Sequence, residues 1–488
     1  MELRNFINGS WMNSETSDFR DVSDPATDQT IARIPLSTSA DVDQTVRYAL
    51  EAHREWRETP VTERIQFLFQ FKQLLEQHLD DLAAVISREC GKTLAEAVGE
   101  LRRGIENVEV ACGTPALMQG YNNEDIARGI DEHLFRQPLG VVVAITPFNF
   151  PAMIPLWFLP YAIACGNCFV LKPSEKTPCT AARLYELLEQ TGLPPGVVSL
   201  LHGQERTATA LIEHPDVRAV SFVGSTPVAR EVYRQAAANG KRAQCQGGAK
   251  NPLIILPDAD METTTRIAAD SAFGCAGQRC LAASMAITVG DATQTFTEAI
   301  CDAAATRQVG CGQHDHVEMG PVISHQSRDR ILKLIDGGRT LDSQILVDGS
   351  QQSVSGFEQG SFVFPTVISD VAPQSELAQS EVFGPVLSLM AVDDIEQAIA
   401  LVNSGSYGNM ACLFTTSGAA ARKFRHEVRA GNIGINLGVA APMAFFPFSG
   451  WKDSFFGDLH AQGRHGVEFY TETKIVVERW PDQWDRKF

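Results

Sequence analysis

From residue 139 onward, short apolar runs alternate with helix-patterned segments, and this alternation constrains the fold more than any other feature of the chain. The runs "GVVVAI" (140–145), "CFVLK" (168–172), "VVSLL" (197–201) and "AVSFVGS" (219–225) carry no polar alternation. Strands of that kind are buried on both faces, which calls for a parallel sheet covered by helices on either side. A second series follows: "NPLIIL", "SMAITVG", "PTVIS", "GPVLSLMAV", "ACLFTT" and "GNIGIN". Two successive α/β units sharing one entrance are the expected architecture. The first third reads as mostly helical. In "SADVDQTVRYALEAHREW", Val42, Val46, Ala49, Leu50 and Trp56 fall on one face, and in the next stretch Ile65, Phe69, Leu74 and Leu75 read as core positions. A third helical stretch holds "TLAEAVGELRRGIENVEVA". The segments "IARGIDEHLFRQPLG" (126–140) and "VEFYTETKIVVERW" (467–480) are strand-like and far from either series. They suggest a small sheet used in association.

With 488 residues the chain has room for two or three domains. Its net charge of −18 argues against a general affinity for nucleic acid or an anionic membrane. Eleven cysteines at irregular spacings form no disulfide framework and fit a reducing compartment. The N-terminal stretch has no apolar signal core, and the longest apolar stretch is broken by Pro151, Pro155 and Pro160. A cytoplasmic protein is expected.

Several short motifs sit where ligands bind in such folds. "AVSFVGSTPVAREVYRQAA" reads as strand, turn and helix, with Ser225 or Thr226 as a cap and Pro227 in the first turn. A helix start there can hold a pyrophosphate, although an ordinary capped helix has the same pattern. "LKPSEKTP" places Lys172 and Glu175 at another strand's carboxyl end, where they can grip ribose hydroxyls or stand in solvent. "GCAGQRC" (274–280) sets Cys280 on a helix-like stretch beside Arg279, whose charge favours a thiolate. Most single cysteines are buried and inert. In "TPFNFP" (146–151), Asn149 can donate to a developing oxyanion or serve as a turn residue. The pair Cys165 and Cys168 lacks a second cysteine pair, and His314 and His316 lack a third ligand, so no metal is expected.

Taken together, "TPFNFP", "LKPSEKTP", "FVGST", "GGAKNP", "GQRC" and "EVFGPV" occur in an order and at separations that resemble the aldehyde dehydrogenase superfamily along essentially the whole chain. "PFNFPAMIPLWFLPYAIACGN", "AFGCAGQRC", "RGIENVE" and "FFPFSGWKDSFFGDLH" resemble its CoA-acylating methylmalonate-semialdehyde dehydrogenases. The resemblance implies a variant Rossmann NAD-binding domain (1–120 and 140–247), an α/β catalytic domain (248–446) and oligomerisation or bridging segments (121–139 and 447–488). It implies Cys280 as nucleophile, with Asn149 and the Cys280 N–H as oxyanion hole. Lys172 and Glu175 match residues on the adenosine ribose, Ser225 a phosphate-side contact, and Glu381 the residue holding the nicotinamide ribose. Thr146, Phe148, Lys176 and Gly247 fall at cofactor-lining positions. A carboxylate at 175 favours NAD over NADP. Arg103 and Arg279 fall where a substrate carboxylate would be held, although an arginine on a helix such as Arg103 more often stands in solvent. A homotetramer, built as a dimer of dimers, is implied as well.

Hydrolytic members of the superfamily carry a glutamate 34 positions before the nucleophile, and here that position is Gln246. An amide cannot take a proton from water. The resemblance therefore implies transfer of the acyl group to coenzyme A, after oxidation of methylmalonate or malonate semialdehyde in valine catabolism. A water-using aldehyde dehydrogenase and a catalytically silent scaffold are the alternatives.

Overall fold

The computed structural model describes residues 1–339 and 343–480. The last eight positions of the expected bridging segment, 481–488, lie outside the described residues.

Five strands make the parallel core of the first sheet: β1 (Val141–Ile145), β2 (Cys168–Lys172), β3 (Val198–Leu200), β4 (Val217–Val223) and β5 (Arg242–Gln246). They lie in the order β3-β2-β1-β4-β5. Asn5–Ile7 and Ser10–Met12 extend the β3 edge, and Phe455–Gly457 pairs antiparallel with β5. The chain winds outward from β1 to β3 and then crosses back to β4. A crevice therefore opens between the carboxyl ends of β1 and β4, the usual ligand position in a doubly wound sheet. Thr146–Asn149 follow β1 at that point, and Gly224 and Ser225 follow β4.

β5 was not foreseen. Its sequence, "RAQCQ", has no apolar run, yet all but Arg242 is buried. The Gln244 amide nitrogen finds an internal partner, donating to Ser221 Oγ at 2.9 Å, and Ser221 in turn bonds Tyr470 Oη at 2.7 Å.

The second sheet contains β6 (Asn251–Ile255), β7 (Ala283–Val289), β8 (Thr366–Ser369), β9 (Val386–Val392), β10 (Met410–Phe414) and β11 (Asn432–Ile435). Their order is β8-β9-β7-β6-β10-β11, all parallel, with Gln344–Val347 antiparallel on the β8 edge. Only 247–250 separate the end of β5 from the start of β6. The carboxyl edge of the first sheet thus faces the amino edge of the second.

A third, antiparallel sheet joins Asn122–Ala127, Ile130–Pro138 and Thr471–Glu478, with Thr471 opposite Pro138 and Glu478 opposite Asp131. The tail strand begins later than its sequence suggests. Val467 and Phe469 belong to a helix, Gly463–Phe469, in which Val467, Phe469 and the following Tyr470 are all buried, a spacing that strand alternation does not produce.

Helix Ser39–Trp56 buries Val42, Val46, Ala49 and Trp56, leaving Leu50 half-buried. Helix Val61–Gln77 buries Ile65, Leu68, Phe71 and Leu75 as one stripe. Phe69, expected in the core, lies off that stripe and is 49% exposed, and Leu74 is only half-buried. Four further helices frame the site: α1 (Leu94–Cys112), α2 (Met153–Ala164), α3 (Thr226–Ala238) and α4 (His325–Gly337). Among the described residues no helix is long and apolar enough to cross a membrane.

Candidate active site

A cavity of about 400 Å³ lies where the two large sheets face each other. Pro147–Asn149 after β1, Val223–Pro227 leading into α3, and Gly247 and Gly248 after β5 line it from the first sheet. Cys280 before β7, Glu381 and Phe383 before β9, Tyr407, and Ser327 and Arg330 of α4 line it from the second. Phe148, Asn149, Ser225, Gly247, Cys280 and Glu381 are therefore gathered from five separate segments. Thr146, Lys172, Glu175 and Lys176 do not line this cavity. They belong to the carboxyl ends of β1 and β2, linked to it by Lys176 Nζ, 5.3 Å above the Phe148 ring.

The stretch before Cys280 is no ordinary helix. Gly274–Gly277 form a tight turn in which Cys275 (φ 50°), Ala276 (φ 52°) and Gly277 (φ 70°) are left-handed. Such backbone costs a non-glycine residue about 1–3 kcal/mol and persists only where neighbours hold it. Glu96 of α1 does so, its carboxylate accepting from Cys275 N at 2.6 Å. Gly277 approaches the "EVFGPV" loop so closely that a Cβ would stand 2.1 Å from Gly384 O. The Cys280 carbonyl accepts from Asn251 Nδ2 at 2.9 Å and Asn409 Nδ2 at 2.8 Å. Burial and the Glu381 carboxylate push the Cys280 thiol up to about 12. The backbone N–H groups of Cys280 and Leu281, and the Arg279 charge, act in the opposite direction.

Asn149 is buried, and its Nδ2 donates to Gln278 O at 3.0 Å. Its own backbone carbonyl accepts from Lys92 Nζ at 2.6 Å. Lys92 pairs with Glu100 at 2.6 Å, both side chains almost wholly buried. Glu100 Oε1 accepts in turn from Ala152 N and Met153 N, at 2.8 and 3.1 Å, where α2 begins. Sequence reasoning missed Lys92, Glu96 and Glu100. The one available signal was Thr93 with Glu96 three residues later, a capping box that the structure forms at the start of α1.

At the start of α3, Ser225 occupies the N-cap position, but its side chain makes no cap hydrogen bond. Thr226 is occupied elsewhere, accepting from Gly248 N at 2.8 Å and donating to Asp453 O at 3.2 Å. The exposed Ser225 hydroxyl and the helix start can therefore receive an anion. Lys172 Nζ donates to Pro173 O and Gly203 O, both at 2.8 Å, which leaves one of its three donors. Burial pulls this ammonium down to about 8. Glu381 Oε1 accepts from Ala249 N at 2.9 Å, and burial pushes its carboxyl up to about 7 against Arg330 and Lys250. Gly248 makes that approach possible, because a Cβ there would stand 2.4 Å from Glu381 Oε2.

Arg103 and Arg279 lie outside the cavity lining, and each already faces a carboxylate. Arg103 Nη1 pairs with Glu106 at 2.6 Å, and its Nη2 donates to Pro442 O. Arg279 Nη2 pairs with Glu96 at 3.1 Å. Gln246 is also outside the lining, buried at the end of β5, where its Nε2 donates to Asn409 Oδ1 at 3.0 Å.

The sequence pattern of the aldehyde dehydrogenase family matches residues 11–476. The chain belongs to the aldehyde dehydrogenase family. Malonate-semialdehyde dehydrogenase 2 of Geobacillus kaustophilus is 47% identical over 478 residues, covering 98% of this aldehyde dehydrogenase and 99% of its relative. Malonate-semialdehyde dehydrogenase of Halalkalibacterium halodurans is 46% identical over 479 residues, 98% of each chain. Among solved structures, methylmalonate-semialdehyde dehydrogenase from Oceanimonas doudoroffii superposes with a TM-score of 0.97 at 43% identity, covering 99% of both chains. A Sinorhizobium meliloti protein described as a methylmalonate-semialdehyde dehydrogenase, solved with NAD, gives 0.97 at 39% identity with the same coverage. The family and the α/β aldehyde dehydrogenase fold expected from the motifs both hold.

Proposed function

We propose that this aldehyde dehydrogenase oxidises malonate or methylmalonate semialdehyde with NAD and passes the acyl group to coenzyme A. The observation that carries the acceptor assignment is Gln246, an amide bonded to Asn409 and absent from the cavity lining. The relatives' names supply the substrate class.

The residues at the carboxyl ends of β1, β2 and β4 fit NAD. Ser225 and the start of α3 suit its pyrophosphate, the free Lys172 donor and Glu175 its adenosine ribose, and Glu381 its nicotinamide ribose. Thr146, Phe148, Lys176 and Gly247 complete the wall. When bound, NAD would supply the hydride acceptor. Cys280 as thiolate adds to the aldehyde carbon, and the oxyanion is received by the Cys280 N–H and by the Asn149 amide hydrogen not used on Gln278. Once hydride has left, the acyl group is a thioester on Cys280. The substrate carboxylate lies β to that carbonyl, so loss of carbon dioxide leaves an enolate that the same donors stabilise until its α-carbon takes up a proton from solvent. Arg103 and Arg279 hold the carboxylate beforehand with the N–H groups that Glu106 and Glu96 leave open. The coenzyme A thiolate then displaces Cys280 and needs no positioned base.

A hydrolytic reading draws on Glu381, which lines the cavity beside Cys280 with its carboxyl near 7, the range of a general base. Product analysis separates the two. With coenzyme A, acetyl-CoA or propionyl-CoA should form with no free acid. Without it, NADH should stop near one equivalent per Cys280. Free acid at an undiminished rate without coenzyme A would overturn the acceptor assignment, and NADH formation surviving Cys280→Ala would overturn the nucleophile.

A further inference from the structure

We propose that Gln246 is a positioning residue that acts on Cys280 through Asn409. Three buried amides converge on the nucleophile. Gln246 Nε2 donates to Asn409 Oδ1 at 3.0 Å, Asn409 Nδ2 donates to the Cys280 carbonyl at 2.8 Å, and Asn251 Nδ2 donates to the same carbonyl at 2.9 Å. Gln246 ends β5 of the first sheet, whereas Asn409 and Asn251 stand at the amino ends of β10 and β6 in the second. The relay therefore ties the nucleophile loop to both sheets across the cleft.

The polarity of the relay follows from donor and acceptor chemistry. A carbonyl oxygen only accepts, so Asn409 must turn its NH₂ toward Cys280 O. Its oxygen then faces residue 246, which must present a donor, and glutamine can do so where a carboxylate cannot. A glutamate here would set two acceptors against each other. Turning Asn409 over would relieve that conflict only by placing an oxygen against the Cys280 carbonyl. An amide at 246 thus selects one orientation of Asn409.

That orientation reaches the sulfur through a single peptide plane. Cys280 O and Leu281 N belong to the same trans peptide, so their C=O and N–H bonds point in opposite directions. Holding the carbonyl with two amides aims the Leu281 N–H the other way, and that N–H, with the Cys280 N–H, lowers the thiol against burial. The relay fixes a donor that favours the thiolate, while Glu381 and Arg279 are the charged side chains that also bear on the sulfur.

The inference rests on Cys280 being the nucleophile and is independent of the acyl acceptor. Its test is a double-mutant cycle read by iodoacetamide alkylation of Cys280 in the full-length enzyme, followed by peptide mass. Gln246→Leu and Asn409→Leu should each slow alkylation roughly five- to tenfold near neutral pH, the weight of one buried hydrogen bond. The double variant should be no slower than Asn409→Leu alone, because the first change has no path to the sulfur once Asn409 is gone. Additive losses, or single variants alkylated at the wild-type rate, would overturn the relay. If the leucine variants do not fold, Gln246→Ala and Asn409→Ala complete the cycle with smaller neutral side chains, under the same criterion. NADH formation by Cys280→Ala would instead remove the nucleophile assignment, whatever the cycle shows.

Discussion

Cys280 is held as a neutral thiol in the free enzyme. Its thiol is pushed up to about 12, so the neutral form is favoured at neutral pH. Burial is the larger cause and Glu381 the next. The sign of the Glu381 contribution depends on pH. Its carboxyl ionises near 7, so below that pH it is neutral and leaves the thiol alone, whereas above it a negative charge opposes a second one forming on sulfur. Glu381→Gln should therefore speed alkylation of Cys280 above about pH 7 and leave it unchanged well below. A pH series of alkylation rates for the two proteins checks this, and equal rates throughout would assign the raised thiol to burial alone.

At the scale of elements, helix α1 organises the loops around the cavity from one face. Glu96, Glu100, Arg103 and Asn107 follow helical spacing and reach three different segments, α2 twice. Glu96 bonds the loop before Cys280, Glu100 the start of α2, Arg103 the Pro442 carbonyl, and Asn107 the Tyr161 hydroxyl at 3.2 Å. The Lys92–Glu100 pair is the most exacting of these contacts, since both groups are out of water and Lys92 also holds the Asn149 carbonyl. Removing one member of a buried pair costs about 3–5 kcal/mol, because the other charge is left unpaired. Lys92→Met should lower the thermal unfolding midpoint measurably and reduce kcat more than KM, since on the proposed mechanism the displaced Asn149 serves the transition state. An unchanged midpoint in calorimetry would show that Glu100 is satisfied by its backbone donors alone.

Across the whole molecule, the two large sheets face each other end to end, and the cavity is lined by loops at their strand ends together with residues of α3 and α4. The third sheet takes no part in that cavity. It presents Ile126, Phe135, Ile475 and Val477 about half exposed. Apolar side chains on an open antiparallel sheet are an association surface, and we propose that copies of the chain meet there as a dimer of dimers. Ile475→Lys with Val477→Lys should reduce the mass measured by light scattering relative to wild type. A monomeric wild type, or an unchanged assembly in the variant, would place association elsewhere.

The sequence alone determined the α/β class and ten of the eleven parallel strands, because strands buried on both faces must be written as apolar runs. It also determined the family, since six short motifs in one order leave little room for another reading. β5 stayed hidden because the glutamines of "RAQCQ" are held by hydrogen bonds to Ser221 and Asn409 rather than by hydrophobicity. The same cause hid Lys92, Glu96, Glu100 and Asn409, whose importance lies in their partners. Asn409 stands 163 positions from Gln246, and no local pattern marks it. Apolar burial leaves a periodic trace in the chain. A buried hydrogen bond between distant side chains leaves none, so only the tertiary structure decided how Gln246 is bonded and which groups hold the Cys280 carbonyl.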